Sequence, residues 1–251
     1  MFTPDQRHHI RSTVLGRAAA DPRICSAAIT GSGSTGAEDE WSDIDLAFAV
    51  ADGVELTAAV SDWTTYLYSA HSAIHHLDVP SGPWLYRVFL LPGTLQVDIA
   101  FVAAAEFRPM ASTFKLVFGS AKESGNFPSP SPESLIGLGW LYALHARSCI
   151  ARARLWQAEY MISGLRDQAL ALACIRYGLP SVHGRGIDQL PSEVTKRFER
   201  GLVQALDRTE LARAFGSVLD CFLVEVGVAD RRLEQQIRET VELLKRTATV
   251  P

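Results

Sequence analysis

The stretch from Gly31 to Val50, GSGSTGAEDEWSDIDLAFAV, constrains this chain more than any other. An apolar run, Cys25 to Thr30, feeds a Gly/Ser corner; a polar connection follows, and a second apolar run from Asp43 to Val50 carries two aspartates, Asp43 and Asp45. Side chains alternate across a strand, so the two carboxylates share one face with Cα atoms roughly 6.6 Å apart, while Ile44 and Leu46 take the other and enter a core. Carboxylates so placed repel unless a cation lies between them. Metal pairs in phosphoryl-transfer sites are about 3.5–4 Å apart, so the spacing suits one or two Mg2+ ions. Gly31 and Ser32 stand where the backbone must turn sharply. Glycine permits the turn and the approach of a ligand, and successive N–H groups there form an anion nest. A metal-bridged triphosphate fits both features.

A third acid lies in Leu95–Phe101, where Val97, Ile99 and Phe101 alternate against Gln96, Asp98 and Ala100. Asp98 is the only acid of that run. A Gly-Ser corner alone is a turn, and an Asp-x-Asp pair alone is a solvated strand face. In this order, Gly31-Ser32, Gly36 and Ser42-Asp43-Ile44-Asp45-Leu46, with Asp98 on a later strand, resemble the signature of the DNA polymerase β-like nucleotidyltransferase superfamily, particularly its antibiotic nucleotidyltransferases. The resemblance spans residues 27–101. It implies that Asp43, Asp45 and Asp98 hold Mg2+ and carry the chemistry, and that Gly31, Ser32 and Ser42 contact the nucleotide. A nucleoside monophosphate, AMP from ATP or its counterpart from another NTP, would pass to a hydroxyl of an aminoglycoside- or lincosamide-like small molecule.

Bulk properties narrow the alternatives. A chain of 251 residues with 47% hydrophobic and 21% charged residues has the composition of one or two globular domains. Residues 1–130 hold 8 Lys and Arg against 14 Asp and Glu, a net of −6, and residues 131–251 carry a net of +2. No basic stripe of a nucleic-acid reader is visible, and an acidic catalytic half favours metal ions. The cysteines, Cys25, Cys149, Cys174 and Cys221, have no paired spacing and read as reduced core residues; adjacent His75 and His76 point to opposite strand faces and give no metal pattern. No run approaches membrane-spanning length and no signal-peptide segment is visible, so the expectation is a cytoplasmic protein with no membrane partner.

Along the chain, Thr3-Pro4 starts a helix that packs at a sheet edge. Glu38, Asp39 and Glu40 read as solvated. Val54–Ala70 reads as a helix crossing from one parallel strand to the next, and Ile74–Val79, Trp84–Leu91 and Leu95–Phe101 as short strands, the last two forming a hairpin. The Pro/Gly/Ser-rich segment from Gly125 to Pro132 marks a boundary between a nucleotidyltransferase domain, 1–125, and a helical substrate-binding domain, 131–251. The fold class is therefore α+β, a mixed sheet followed by a bundle of four or five helices. In the bundle, Glu159, Ser163 and Arg166 share a helix face; Glu159 is a candidate general base beside Asp98, and Arg166 a candidate nucleotide contact. Arg176 and His183 loosely resemble the Arg-x(4–6)-His pair of HEPN ribonucleases, but Gly178 and Pro180 break the helix that would present them. Apolar helix surfaces permit a homodimer. A second class of function is an antitoxin-like nucleotidyltransferase that modifies a protein partner, or a regulatory relative that binds nucleotide.

Overall fold

A computed structural model describes residues 2–125 and 130–248 of the chain. Asn126 to Ser129, within the Pro/Gly/Ser-rich segment, lie outside the described residues. The chain divides into two compact units, Met1–Phe127 and Pro128–Pro251.

In the first unit, α1 (Pro4–Ala20) begins with a capping box in which the Thr3 hydroxyl accepts from Gln6 N and the Gln6 side chain accepts from Thr3 N. Then come β1 (Ile24–Thr30), α2 (Gly31–Thr35), β2 (Ile44–Val50), α3 (Leu56–His71), β3 (His75–Ser81), β4 (Trp84–Leu90), β5 (Gln96–Ala103) and β6 (Phe114–Phe118). The six strands form one mixed sheet in the order β3-β4-β5-β2-β1-β6, with β2 and β5 parallel and the other neighbours antiparallel.

Strand alternation sorts the sheet into two faces. On one, Ile44, Leu46, Phe48, Val50, Val97, Ile99 and Phe101 pack with Val14 and Ala18 of α1 and with Val60, Trp63 and Leu67 of α3. Phe48 centres this layer, its ring 5.0 Å from Trp63 and 5.7 Å from Phe101. On the other face, Ala28, Ala47, Ala49, Ala100 and Val102 cluster with Trp84 and Phe107.

Several expectations are corrected here. The first helix packs over β1 and β2 rather than at the sheet edge, because its buried Val14 and Ala18 meet that face. Helix α3 does cross between two strands that run the same way, β2 and β3, but β3 is the far edge strand, and β4 and β5 then return the chain to β2. Segment 107–120 contains β6, an unforeseen strand paired with β1, where Ser26 Oγ donates to Ser120 O at 2.8 Å and accepts from Ser120 N at 3.0 Å. Cys25 is exposed, not core, at the bulge between Ile24 and Ser26; the other three cysteines are buried.

The second unit is a bundle of α4 (Pro132–Ala151), α5 (Leu155–Arg176), α6 (Ser192–Glu199), α7 (Arg208–Ala229) and α8 (Arg231–Ala248). Ser131 caps α4 by accepting from Ser134 N, and Asp207 caps α7 by accepting from Glu210 N. Ala158, Ile162, Leu165, Ala169 and Leu172 form the buried stripe of α5. Gly164 lets α5 approach the Tyr142 ring, where a Cβ would lie 2.7 Å away. Arg176 pairs with buried Glu225 at 3.1 Å, and His183 lies beyond the end of α5 at φ 56°, so no helix presents these two as a pair. Among the described residues no helix is long and apolar enough to cross a membrane.

Candidate active site

Asp45 and Asp98 face each other across the parallel pair β2·β5, in register. Residues directly opposite in a parallel ladder point to the same side, so both carboxylates rise from the face lined by Ala47, Ala49 and Ala100. Asp43 stands immediately before β2 rather than inside it, two residues from Asp45 and on the same side. One oxygen from each of the three acids lies within 4.8 Å of the others, and all three residues are half-buried.

The acids are tied by a residue whose role sequence reading passed over. Gln96 Nε2 donates to Asp98 Oδ1 at 3.0 Å and, more weakly, to Asp43 Oδ2 at 3.5 Å. Its signal was its place two residues before Asp98, which sets the amide on the acid face. Burial pushes the Asp98 carboxyl up to about 6, the Gln96 hydrogen bond opposes that rise, and the negative charge of Asp43 adds to it.

The Gly/Ser corner is a single turn of helix, Gly31–Thr35, that follows β1 directly. Gly31 has φ 58°, in the region that favours glycine. A second reason for glycine here is the acid itself, since a Cβ on Gly31 would collide with the Asp45 carboxylate. The corner and the acid are therefore in direct contact. Ser34 Oγ donates to Gly31 O at 2.8 Å and closes the turn, while the first N–H groups of any helical turn have no partner inside it.

The connection from Gly36 to Asp43 is ordered by its own polar groups. Ser42 Oγ accepts from Asp39 N at 2.9 Å and donates to the Asp39 carboxylate at 3.0 Å, and Trp41 N donates to that same carboxylate at 2.9 Å. The Ser42 hydrogen bond, then that from Trp41 N, holds the Asp39 carboxyl below its ordinary range. Glu38 is not solvated as expected: Arg7 and Arg11 pair with it at 3.3 and 2.5 Å, because α1 lies beside the connection. The Trp41 side chain is 68% exposed.

Glu159 and Arg166 lie on α5 in the second unit, and their partners there are local. Glu159 Oε1 accepts from Ser163 Oγ at 2.7 Å, so those two do share a helix face. Arg166 pairs with Asp167 at 3.2 Å.

No family model matches this sequence, and no curated protein matches it. Among solved structures, the chain is similar to an aminoglycoside 6-adenyltransferase from Bacillus subtilis at 13% identity and a TM-score of 0.42, over 97% of this chain and 99% of that one. It is also similar to a nucleotidyltransferase-like protein from Exiguobacterium sibiricum at 14% identity and a TM-score of 0.40, over 92% of this chain and 79% of that one.

Proposed function

We propose that the chain is a Mg2+-dependent nucleotidyltransferase that passes AMP from ATP to a hydroxyl of a small molecule of aminoglycoside or lincosamide type. The observation that carries this reading is the convergence of Asp45 and Asp98 from two parallel strands with Asp43 from the residue before β2, with oxygens within 4.8 Å and Asp45 against Gly31. The donor set fits the ion: three carboxylates, all hard oxygen donors, match the preference of Mg2+ and offer nothing to softer metals. When bound, Mg2+ would offset charge on the phosphates and on departing pyrophosphate.

The chain's own residues do the rest. Backbone N–H groups of Gly31 and Ser32 hold phosphate oxygens, with Ser42 as a further nucleotide contact. The acceptor oxygen attacks the α-phosphorus, a new P–O bond forms, and the bond to pyrophosphate breaks. The hydroxyl proton passes to a carboxylate, for which Asp98 at the acid cluster is the candidate.

The test uses the full chain with Mg2+, ATP labelled at the α-phosphate, and a panel of aminoglycosides, lincosamides and candidate proteins. Label on a small molecule with release of pyrophosphate supports the reading. Label on a protein replaces it with modification of a protein partner. Label on neither, with ATP intact, contradicts it. A parallel assay of Asp98→Asn tests the base, since loss of a general base is partly restored at higher pH.

A further inference from the structure

We infer that Arg7 is a positioning residue for the acid site: its guanidinium fixes the connection that delivers Asp43 and thereby sets the affinity of the site for a divalent cation. The inference rests on the reading of the three aspartates as cation ligands.

Arg7 is the only buried arginine or lysine among the described residues, 5% exposed on the first turns of α1. Arginine is rarely buried unless its donors are used, and here they are. Nη1 donates to the Asp39 carbonyl at 2.6 Å and to the Ser42 carbonyl at 3.2 Å, and Nε faces Glu38 at 3.3 Å. Arg11 Nη1 adds a second cation to Glu38 at 2.5 Å. Two positive groups and one carboxylate thus hold both ends of the 38–42 segment against α1.

The Ser42 carbonyl belongs to the planar peptide unit that joins Ser42 to Asp43, so restraining it restrains the direction in which Asp43 leaves. The other two acids need no such device. Asp45 and Asp98 sit inside strands and are placed by the β2·β5 ladder, whereas Asp43 precedes the first ladder residue, Ile44. Asp43 is thus the acid whose backbone requires an outside anchor. The same cluster backs the glycine corner, since a Cβ on Gly33 would lie 3.0 Å from Arg11 Nη1 and 3.3 Å from Glu38 Oε1. Because Arg7 contacts none of the three acids in these bonds, it acts through the connection and not on substrate.

Arg7→Lys separates positioning from a general role in the fold. Lysine keeps a positive charge beside Glu38, but one ammonium cannot reproduce the planar fork that spans two carbonyls and a carboxylate. The measurement is Mn2+ binding by electron paramagnetic resonance, with thermal unfolding of the same samples. Arg7→Lys is expected to stay folded with a modestly lower unfolding temperature and to bind Mn2+ about ten- to a hundredfold more weakly, the loss seen when residues supporting metal ligands are changed. Arg7→Met is expected to show the same weakening with a still lower unfolding temperature. Full Mn2+ affinity in a folded Arg7→Lys overturns the inference. Failure of both variants to fold also overturns it, because the residue would then serve the fold as a whole. An unmodified chain that binds no Mn2+ removes the reading of the acids themselves, a result distinct from normal binding that Arg7→Lys leaves unchanged.

Discussion

The two faces of the sheet are made from alternate residues of the same strands, and they are built for opposite ends. Along β2, Leu46, Phe48 and Val50 fill one face, while Asp45, Ala47 and Ala49 line the other. Along β5, Val97, Ile99 and Phe101 oppose Asp98, Ala100 and Val102. The first face buries large side chains under two helices and holds the unit together. The second packs its small residues under Trp84 and Phe107 and carries beside them acids that repel one another, groups that cost stability. A fold keeps such acids when something outside the chain completes them.

Substitutions can break that comparison. The largest effect is expected on the acid face: Asp43→Asn, Asp45→Asn or Asp98→Asn should lower nucleotidyl transfer more than about a thousandfold, since cation-mediated charge stabilisation supplies several kcal/mol. Steady-state assays check this, with circular dichroism showing the fold retained. On the packed face, Phe48→Ala should cost about 3–5 kcal/mol of stability, because Phe48 is fully buried among Trp63 and Phe101. Denaturant unfolding measures it, and equal losses in Asp45→Asn would erase the contrast between the faces.

Smaller effects sharpen it. Mg2+ at about a hundred times its dissociation constant should raise stability by about 2.7 kcal/mol in the unmodified chain and by much less in Asp45→Asn, as thermal shift would show. Gly31→Ala should lower transfer about tenfold to a hundredfold, because the added methyl must displace the Asp45 carboxylate and the backbone at φ 58° disfavours a side chain.

The smallest effect concerns a buried acid away from that face. Burial raises the Glu225 carboxyl, with Arg176 and Arg197 opposing the rise. The folded chain then keeps a proton that the unfolded chain releases, so stability falls as pH rises above the ordinary glutamate range. Glu225→Gln should flatten that dependence in urea titrations across pH 4 to 7. Asp98 is also raised by burial, so a shifted carboxyl marks both a site and a structural pair, and convergence of several acids tells them apart.

Much of the first unit is legible because strand alternation is short-range. The face of Asp45 follows from Ile44 and Leu46, and that of Asp98 from Val97 and Ile99. Their pairing across β2 and β5 is consistent with the two acids belonging to one constellation. What escapes is set by contacts distant in sequence. Strand β6 is mostly exposed, has no alternation, and is defined by pairing with β1. Arg7 reads as one more polar residue of a helix, because its partners lie 32 and 35 residues further on. Glu38 reads as solvated for the same reason. In the bundle, helix spacing reveals the buried stripe of α5, but no local pattern distinguishes Glu159 and Arg166 from an ordinary polar face.

The most direct test is a crystal of the full chain grown with Mn2+ and a non-hydrolysable ATP analogue, read by anomalous scattering. The account predicts a manganese peak ligated by Asp43, Asp45 and Asp98, with analogue phosphate oxygens at the Gly31 and Ser32 N–H groups. Manganese or phosphate bound elsewhere, with the three carboxylates unligated, would contradict it.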